Sequence, residues 1–294
     1  MTPLVDLGGG GSTVLLLLLL VAIGFASGLL GSLIGIGGGL FLVPTLVLGF
    51  GLDIHFAVAA SLLAVIANSS GSASTYVEQG LTNLRLGMFL ETTTVIGGLL
   101  GALLSVTVLA SHSDVLALGF VPAVVVGAIL MFRAPRAGPD PDAPSSPLAD
   151  RLDLGGEYED EETGARIRYR TNHPAEGLSL AGVAGFGSGL LGVGGGIFNV
   201  PAMNAVMNVP LRIASATSLF MIGVTASAGV LVYFLAGDLL LFVAAPVAFG
   251  SLLGSVVGSY YQFHAGSRWI RAMFIVVLLV AAVLMAARGV GYLQ

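Results

Sequence analysis

Two stretches of the chain could hold a charged solute without a charged residue of their own. They read Gly35-Ile36-Gly37-Gly38-Gly39-Leu40-Phe41-Leu42-Val43-Pro44 and Gly192-Val193-Gly194-Gly195-Gly196-Ile197-Phe198-Asn199-Val200-Pro201. Clustered glycines reach backbone angles closed to other residues, so a helix can end there and a second can start. A restarting helix leaves its first N–H groups unpaired and carries partial positive charge at that end. Together these features bind anions without Lys or Arg. The competing reading is close helix packing, which also uses small residues. That reading is adopted for Gly97, Gly101, Gly250, Gly254 and Gly258, whereas the two triple-glycine motifs are assigned to function.

The elements that must position these motifs are membrane helices. Of 294 residues, 56% are hydrophobic and 9% charged, against about 25% charged in soluble domains. Apolar runs fall at 13–33, 37–51, 55–77, 85–109 and 114–133, and again at 178–193, 196–209, 212–235, 239–262 and 269–290. A crossing needs about 20 residues. The first two runs of each half are short, and either span or form a re-entrant hairpin. As one helix, 13–51 would reach about 58 Å, too long for a single span, so the chain has to break at the glycines. Non-helical backbone at that depth survives only inside protein or beside a water-filled cavity. Ahead of Leu15, the segment Met1–Ser12 has Asp6 and a glycine run but no basic residue. It therefore lacks the positive start of a signal peptide, and a retained first membrane segment is predicted.

The organisation is a first membrane repeat at 13–133, a linker at 134–177 and a second repeat at 178–290. The linker holds Pro135, Pro139, Pro141, Pro144 and Pro147, then Glu157, Glu159, Asp160, Glu161 and Glu162, then Arg166, Arg168 and Arg170. Such composition does not bury a core, so a partly disordered, cytoplasmic linker is expected. The repeats follow from a constant offset of 157 residues, as from Gly35 to Gly192. At that offset Ala57 pairs with Ala214, Ala59 with Ala216, Ser61-Leu62 with Ser218-Leu219, Tyr76 with Tyr233 and Gly80 with Gly237. All eleven basic residues are Arg. Five crossings per half would put Arg85, Arg133, Arg136, Arg212, Arg268 and Arg271 on one side, as the positive-inside bias favours, with Arg288 against it. An odd number inverts the second repeat. Inverted repeats are a transporter architecture, with substrate near the midplane.

Small polar residues follow each glycine motif: Ser61, Asn68 and Tyr76 in the first half, Asn199, Asn204, Thr217, Ser218, Thr225 and Tyr233 in the second. As a set they are candidates to line a polar path; singly, each also suits interhelical hydrogen bonding. Glu91 is the ionisable residue placed inside a run, and either carries a coupling proton or snorkels to the interface. Asp53, His55, Arg85, Arg212 and Asp238 lie at run ends and are assigned as solvated loop charges. There is no Cys, which excludes thiol chemistry and disulfides. Gly187-Ser188-Gly189-Leu190-Leu191-Gly192 spells a dinucleotide fingerprint, but inside an apolar helix and without the strand that motif needs. Metalloprotease, hydrolase and P-loop motifs are absent, and the four His, at 55, 112, 173 and 264, form no close pair. An enzyme is not expected, nor a cofactor, nor a nucleic-acid partner.

These paired motifs resemble the TauE/SafE-like sulfite exporter family. The residues that carry the resemblance are Gly35 to Pro44, Ala59-Ala60-Ser61-Leu62, Tyr76 with Gly80 and Asn83, and the echo from Gly192 to Gly237. It covers nearly the whole chain outside 134–177. It implies a carrier of small sulfur-containing anions, with the site around Gly35–Gly39 and Gly192–Gly196. The second half departs from the first, with Arg212 at the place of His55. The expectation is an all-α membrane protein, a polytopic helical bundle of two duplicated, inverted repeats with broken or re-entrant helices at the glycine motifs. Its expected role is secondary transport of a small sulfur-containing oxyanion (sulfite, thiosulfate or sulfonate) by alternating access between the two repeats, coupled to a proton or sodium ion, with an anion channel and, behind it, a membrane-embedded enzyme as the alternatives. The expected substrate-binding set is Gly35, Gly37, Gly38, Gly39, Ser61, Asn68, Tyr76, Gly192, Gly194, Gly195, Gly196, Asn199, Thr217, Ser218 and Tyr233. The expected partners are the lipid bilayer of the cell membrane, the anion and its coupling ion.

Overall fold

The computed structural model describes residues 10–110, 113–133, 146–160, 164–263 and 267–289. Arg136, Pro135, Pro139, Pro141, Pro144, Glu161, Glu162, His112, His264 and the segment before Gly10 lie outside the described residues. The first half folds as α1 (Gly10–Ile34), α2 (Gly39–Phe50), α3 (Ile54–Glu78), α4 (Leu84–Thr107) and α5 (Ser113–Arg133). The second half folds as α7 (Pro174–Leu191), α8 (Gly196–Pro201), α9 (Leu211–Ala236), α10 (Leu241–Phe263) and α11 (Ser267–Gly289). Between them lie α6 (Pro147–Arg151) and strands β1 (Gly156–Asp160) and β2 (Ala165–Tyr169). Among the described residues, α1, α3, α4, α9 and α10 are long and apolar enough to cross a membrane. The chain is therefore a multi-pass, all-α membrane protein.

The first two runs differ from expectation. At 25 residues, α1 is a full-length membrane helix rather than a short run. With 12 residues, α2 reaches about 18 Å, short of the roughly 30 Å core, so the run at 37–51 does not cross. It stops at Gly51, which takes a left-handed φ of 63°. The equivalent α8 is shorter still, and unwinds after Pro201 into one π turn, Ala202–Val206. The Asn204 amide closes that wide turn by donating to Val209 O at 2.8 Å.

Contacts between helices set their directions. On α3, Asn68 donates to Gly28 O and Tyr76 to Ser32 O, so α3 runs parallel to α1. Gly24 meets Val247, and Gly254 and Gly258 meet Phe25 and Leu29, which makes α10 parallel to α1 as well. The same offset reproduces these contacts between α4 and α7: Gly28 against Ser251 O becomes Gly185 against Thr94 O. Gly97 and Gly101 press on the backbone of α7, and Gly250, Gly254 and Gly258 on that of α1, so these glycines serve close packing. Gly87 beside Thr217 and Gly98 beside Thr225 align α9 with α4. Finally, α3 and α9 cross antiparallel, with Ser69 on Leu219 and Leu62 on Gly229. Hence α1, α3 and α10 point one way while α4, α7 and α9 point the other. Arg85 and Arg212 begin α4 and α9 at one end; Asp53 and Asp238, ahead of α3 and α10, lie at the opposite end.

The described part of the linker, expected to be partly disordered, carries α6 and a strand pair. Its acidic and basic runs lie opposite each other in an antiparallel hairpin, Glu157 facing Arg168 and Glu159 facing Arg166. Opposite charges across strands favour that register. Ala149, Leu154 and Tyr169 are buried beneath it. Burial raises the Tyr169 phenol to about 12, against a lowering hydrogen bond from Asn83. The Asn83 amide donates to Leu154 O and to the Tyr169 hydroxyl, and Arg85 pairs with Asp153, which pins the hairpin to the α3–α4 turn.

Candidate functional site

Both glycine motifs break the helix. In the first, α1 ends at Ile34, and the amides of Gly35, Ile36 and Gly37 all turn back onto Gly31 O at 3.0, 3.0 and 3.3 Å. Gly35, Gly37 and Gly38 adopt φ of 85°, 82° and 83°, closed to residues with a Cβ. The second is its counterpart: α7 ends at Leu191, and Gly192, Gly194 and Gly195 take φ of 70°, 80° and 71°. The new helices begin by folding Phe41 and Leu42 onto Gly38 O, and Phe198 and Asn199 onto Gly195 O.

The breaks meet each other. Ser61 of α3 donates to Gly192 O at 2.7 Å, and Ser218 of α9 donates to Gly35 O at 3.0 Å. Each half thus satisfies a carbonyl that the other half's break has freed. Gly39 lies directly beneath Gly192 O, and Gly196 beneath Gly35 O, with no room for a Cβ at either. Gly37 and Gly194 both pack on Val65. The structure therefore brings together Gly35, Gly37, Gly38, Gly39, Ser61, Gly192, Gly194, Gly195, Gly196, Asn199 and Ser218. It does not bring Thr217 into this group, since its hydroxyl accepts from the Asn83 backbone N–H at 3.0 Å. Tyr76 and Tyr233 each donate to backbone at 3.0 Å, at Ser32 O and Gly189 O, and so hold the last turns of α1 and α7. Asn68 ties α3 to Gly28 O one turn earlier.

The two breaks differ in polarity. Asn199 is 1% exposed, and neither its amide nitrogen nor its oxygen has a partner among the described residues. Ser188 Oγ is also buried without a partner, and both groups flank Gly195. In the first half Leu42 and Gly31 stand at the equivalent places, and Ser27 donates to Gly38 O at 2.7 Å. Buried polar groups without partners each cost about 1–3 kcal/mol, and their persistence calls for an explanation. Ser188 carried no sequence signal beyond its place one turn before the glycines.

Glu91 lies in α4, where its Oε1 accepts from Thr225 at 2.7 Å and its Oε2 is buried without a partner. A cavity of about 490 Å³ opens beside it, lined largely by Met88, Val95, Ile96, Phe220 and Val224. Among the supposed loop charges, Arg85 is exposed and Asp53 half-exposed, as expected. His55 and Arg212 are not: they are 6% and 7% exposed, which overturns their assignment as solvated charges. They occupy equivalent positions in the first turns of α3 and α9, where packing against the rest of the bundle covers them. The shared offset was the signal that pointed to them.

Oppositely directed helix groups that meet at paired breaks within an apolar bundle are an architecture found among membrane transporters. The chain belongs to the sulfite exporter TauE/SafE family, whose profile matches residues 20–285. It is similar to the "Probable membrane transporter protein YunE" of Bacillus subtilis, 28% identical over 247 residues that cover 81% of this chain and 86% of that protein. It is also 28% identical over 253 residues to the "Probable membrane transporter protein MJ0441" of Methanocaldococcus jannaschii, covering 80% and 83%. No solved structure shows a significant match.

Proposed function

We propose that the chain is a secondary transporter of a small sulfur-containing oxyanion, and that it works by alternating access between two inverted, duplicated halves. The carrying observation is the reciprocal contact of the two breaks, Ser61 on Gly192 O and Ser218 on Gly35 O. Helix starts at membrane depth supply amide donors, and a low-dielectric setting strengthens what they bind. The unpartnered Asn199 amide and Ser188 hydroxyl add two further hydrogen-bonding groups on the second-half side. Relative movement of the halves would exchange the serine–carbonyl contacts for contacts with the solute. Glu91, with one free carboxylate oxygen beside Thr225, is the deeper coupling residue. The inverted directions of α1, α3 and α10 against α7, α9 and α4 support the symmetry that alternating access requires.

The test is flux into proteoliposomes containing the full chain, with labelled sulfite and labelled thiosulfate, with and without a pH gradient. Saturable, protein-dependent uptake of either anion is the expected result. If neither anion moves under any gradient, the substrate assignment is withdrawn.

A further inference from the structure

The face opposite the linker carries a titratable cluster that the paired breaks do not use. His55 opens α3, with Asp53 as its N-cap, and the α9–α10 connection brings Asp238 within electrostatic reach. Ser105 of α4 and Tyr233 of α9 complete the surroundings. Among the described residues, Asp53 and Asp238 are the titratable groups that act on the imidazole, and Tyr233 lies next to Ser105 and Asp238. Partial burial pushes the Asp238 carboxyl up from its ordinary value, against a lowering influence from His55.

The ring bridges two environments. Its Nδ1 lies 3.0 Å from Asp53 Oδ1, which also accepts the His55 backbone amide at 2.9 Å. The Asp53 side chain is 46% exposed, so this edge of the ring communicates with water. The other edge does not: Nε2 is buried beside Ser105 of α4, short of a well-formed hydrogen bond among the described residues. An imidazole with one nitrogen on a wetted carboxylate and the other facing the interior is arranged to move a proton.

We propose that the coupling ion is a proton and that His55 loads it at the mouth opposite the linker. Asp53 orients the ring and connects Nδ1 to water. The imidazolium gives its Nε2 proton to an oxyanion basic enough to take it, and the oxyanion crosses with that proton; the neutral ring keeps its Nδ1 proton towards Asp53 and regains one at Nε2 from water admitted when this end reopens. One proton moves with each anion, and nothing is oxidised or reduced. The chemistry selects a basic oxyanion of the sulfite kind over anions of strong acids. This rests on the anion-transport reading above and adds to it the ion and its point of entry. The other end has Arg212 at the equivalent position, so the two ends present different side chains at the start of α3 and α9.

Proteoliposomes with a pH dye trapped inside, given an inward sulfite gradient at equal pH, separate the outcomes. The wild type is expected to acidify the lumen beyond protein-free vesicles. His55→Gln is expected to lower the ratio of protons to sulfite at least tenfold. Asp53→Asn keeps the cap, because Asn caps as well as Asp. It removes the negative partner of the ring and is expected to move the pH midpoint of coupled transport down by about one unit. Should His55→Gln fail to fold, that midpoint decides. Sulfite-driven acidification with an unchanged ratio in His55→Gln and an unchanged midpoint in Asp53→Asn overturns the assignment and leaves the anion reading intact. A wild type that moves neither sulfite nor thiosulfate removes both.

Discussion

At the scale of single residues, the account turns on which buried polar groups are satisfied. Ser61 and Ser218 are each wholly buried and each close one carbonyl of the opposite half. Ser61→Ala or Ser218→Ala should lower stability by about 1–2 kcal/mol through an unsatisfied carbonyl, measurable as a lower melting temperature in detergent. Glu91→Gln keeps the bond from Thr225 available while removing the charge, so transport should persist with its pH dependence flattened. An unchanged pH profile in that variant would end the coupling role of Glu91. The glycines, Ser61 and Ser218 could be picked out from the sequence because chain breaks need glycine and because the offset repeats, and Asn199 because it is a small polar residue just after a break. His55 and Arg212 were misjudged because polarity at the end of an apolar run normally means solvent. Here the neighbouring helices cover both side chains, a tertiary fact that no local window contains.

At the scale of elements, the requirement is two backbones in contact. A methyl group at Gly39 or Gly196 would run into the carbonyl of Gly192 or Gly35, and backbone cannot yield as a side-chain tip does. Gly39→Ala and Gly196→Ala should each prevent formation of a monodisperse protein, read by size-exclusion profile, whereas Gly49→Ala should not, since nothing lies near that position. The five runs that became α1, α3, α4, α9 and α10 were readable because a helix that crosses lipid has to be long and apolar. The fate of 37–51 was not, because re-entry is set by what the half-helix packs against. The hairpin was hidden for a different reason: acidic and basic runs look like disorder until their alternation is recognised as cross-strand pairing. Its docking depends on a neutral Tyr169, whose burial favours the protonated phenol. That stability is complete below the ordinary phenol value of 10.0 and is lost as pH rises towards about 12. Protease cleavage of the linker should therefore stay constant through neutral pH and accelerate only above about pH 10.

At the scale of the whole molecule, the helix directions put Arg85, Arg212 and the linker on one face and Asp53, His55 and Asp238 on the other. On the positive-inside bias, we propose that the linker face is the cytoplasmic one. Because the chain has no native Cys, single cysteines can report sidedness without background. Asp150→Cys should resist a membrane-impermeant maleimide applied to intact cells, and Asp238→Cys should react. The central claim is that the paired breaks hold the anion through amides and the unpartnered Asn199. Anion-dependent thermal stabilisation of purified protein, wild type against Asn199→Leu, tests it most directly, because Leu42 already fills the equivalent place in the first half. A ligand at a hundred times its Kd stabilises the folded state by about 2.7 kcal/mol. Sulfite or thiosulfate should raise the melting temperature of the wild type but not of Asn199→Leu. Equal shifts in the two proteins, or none in the wild type, would contradict an anion seat between the breaks.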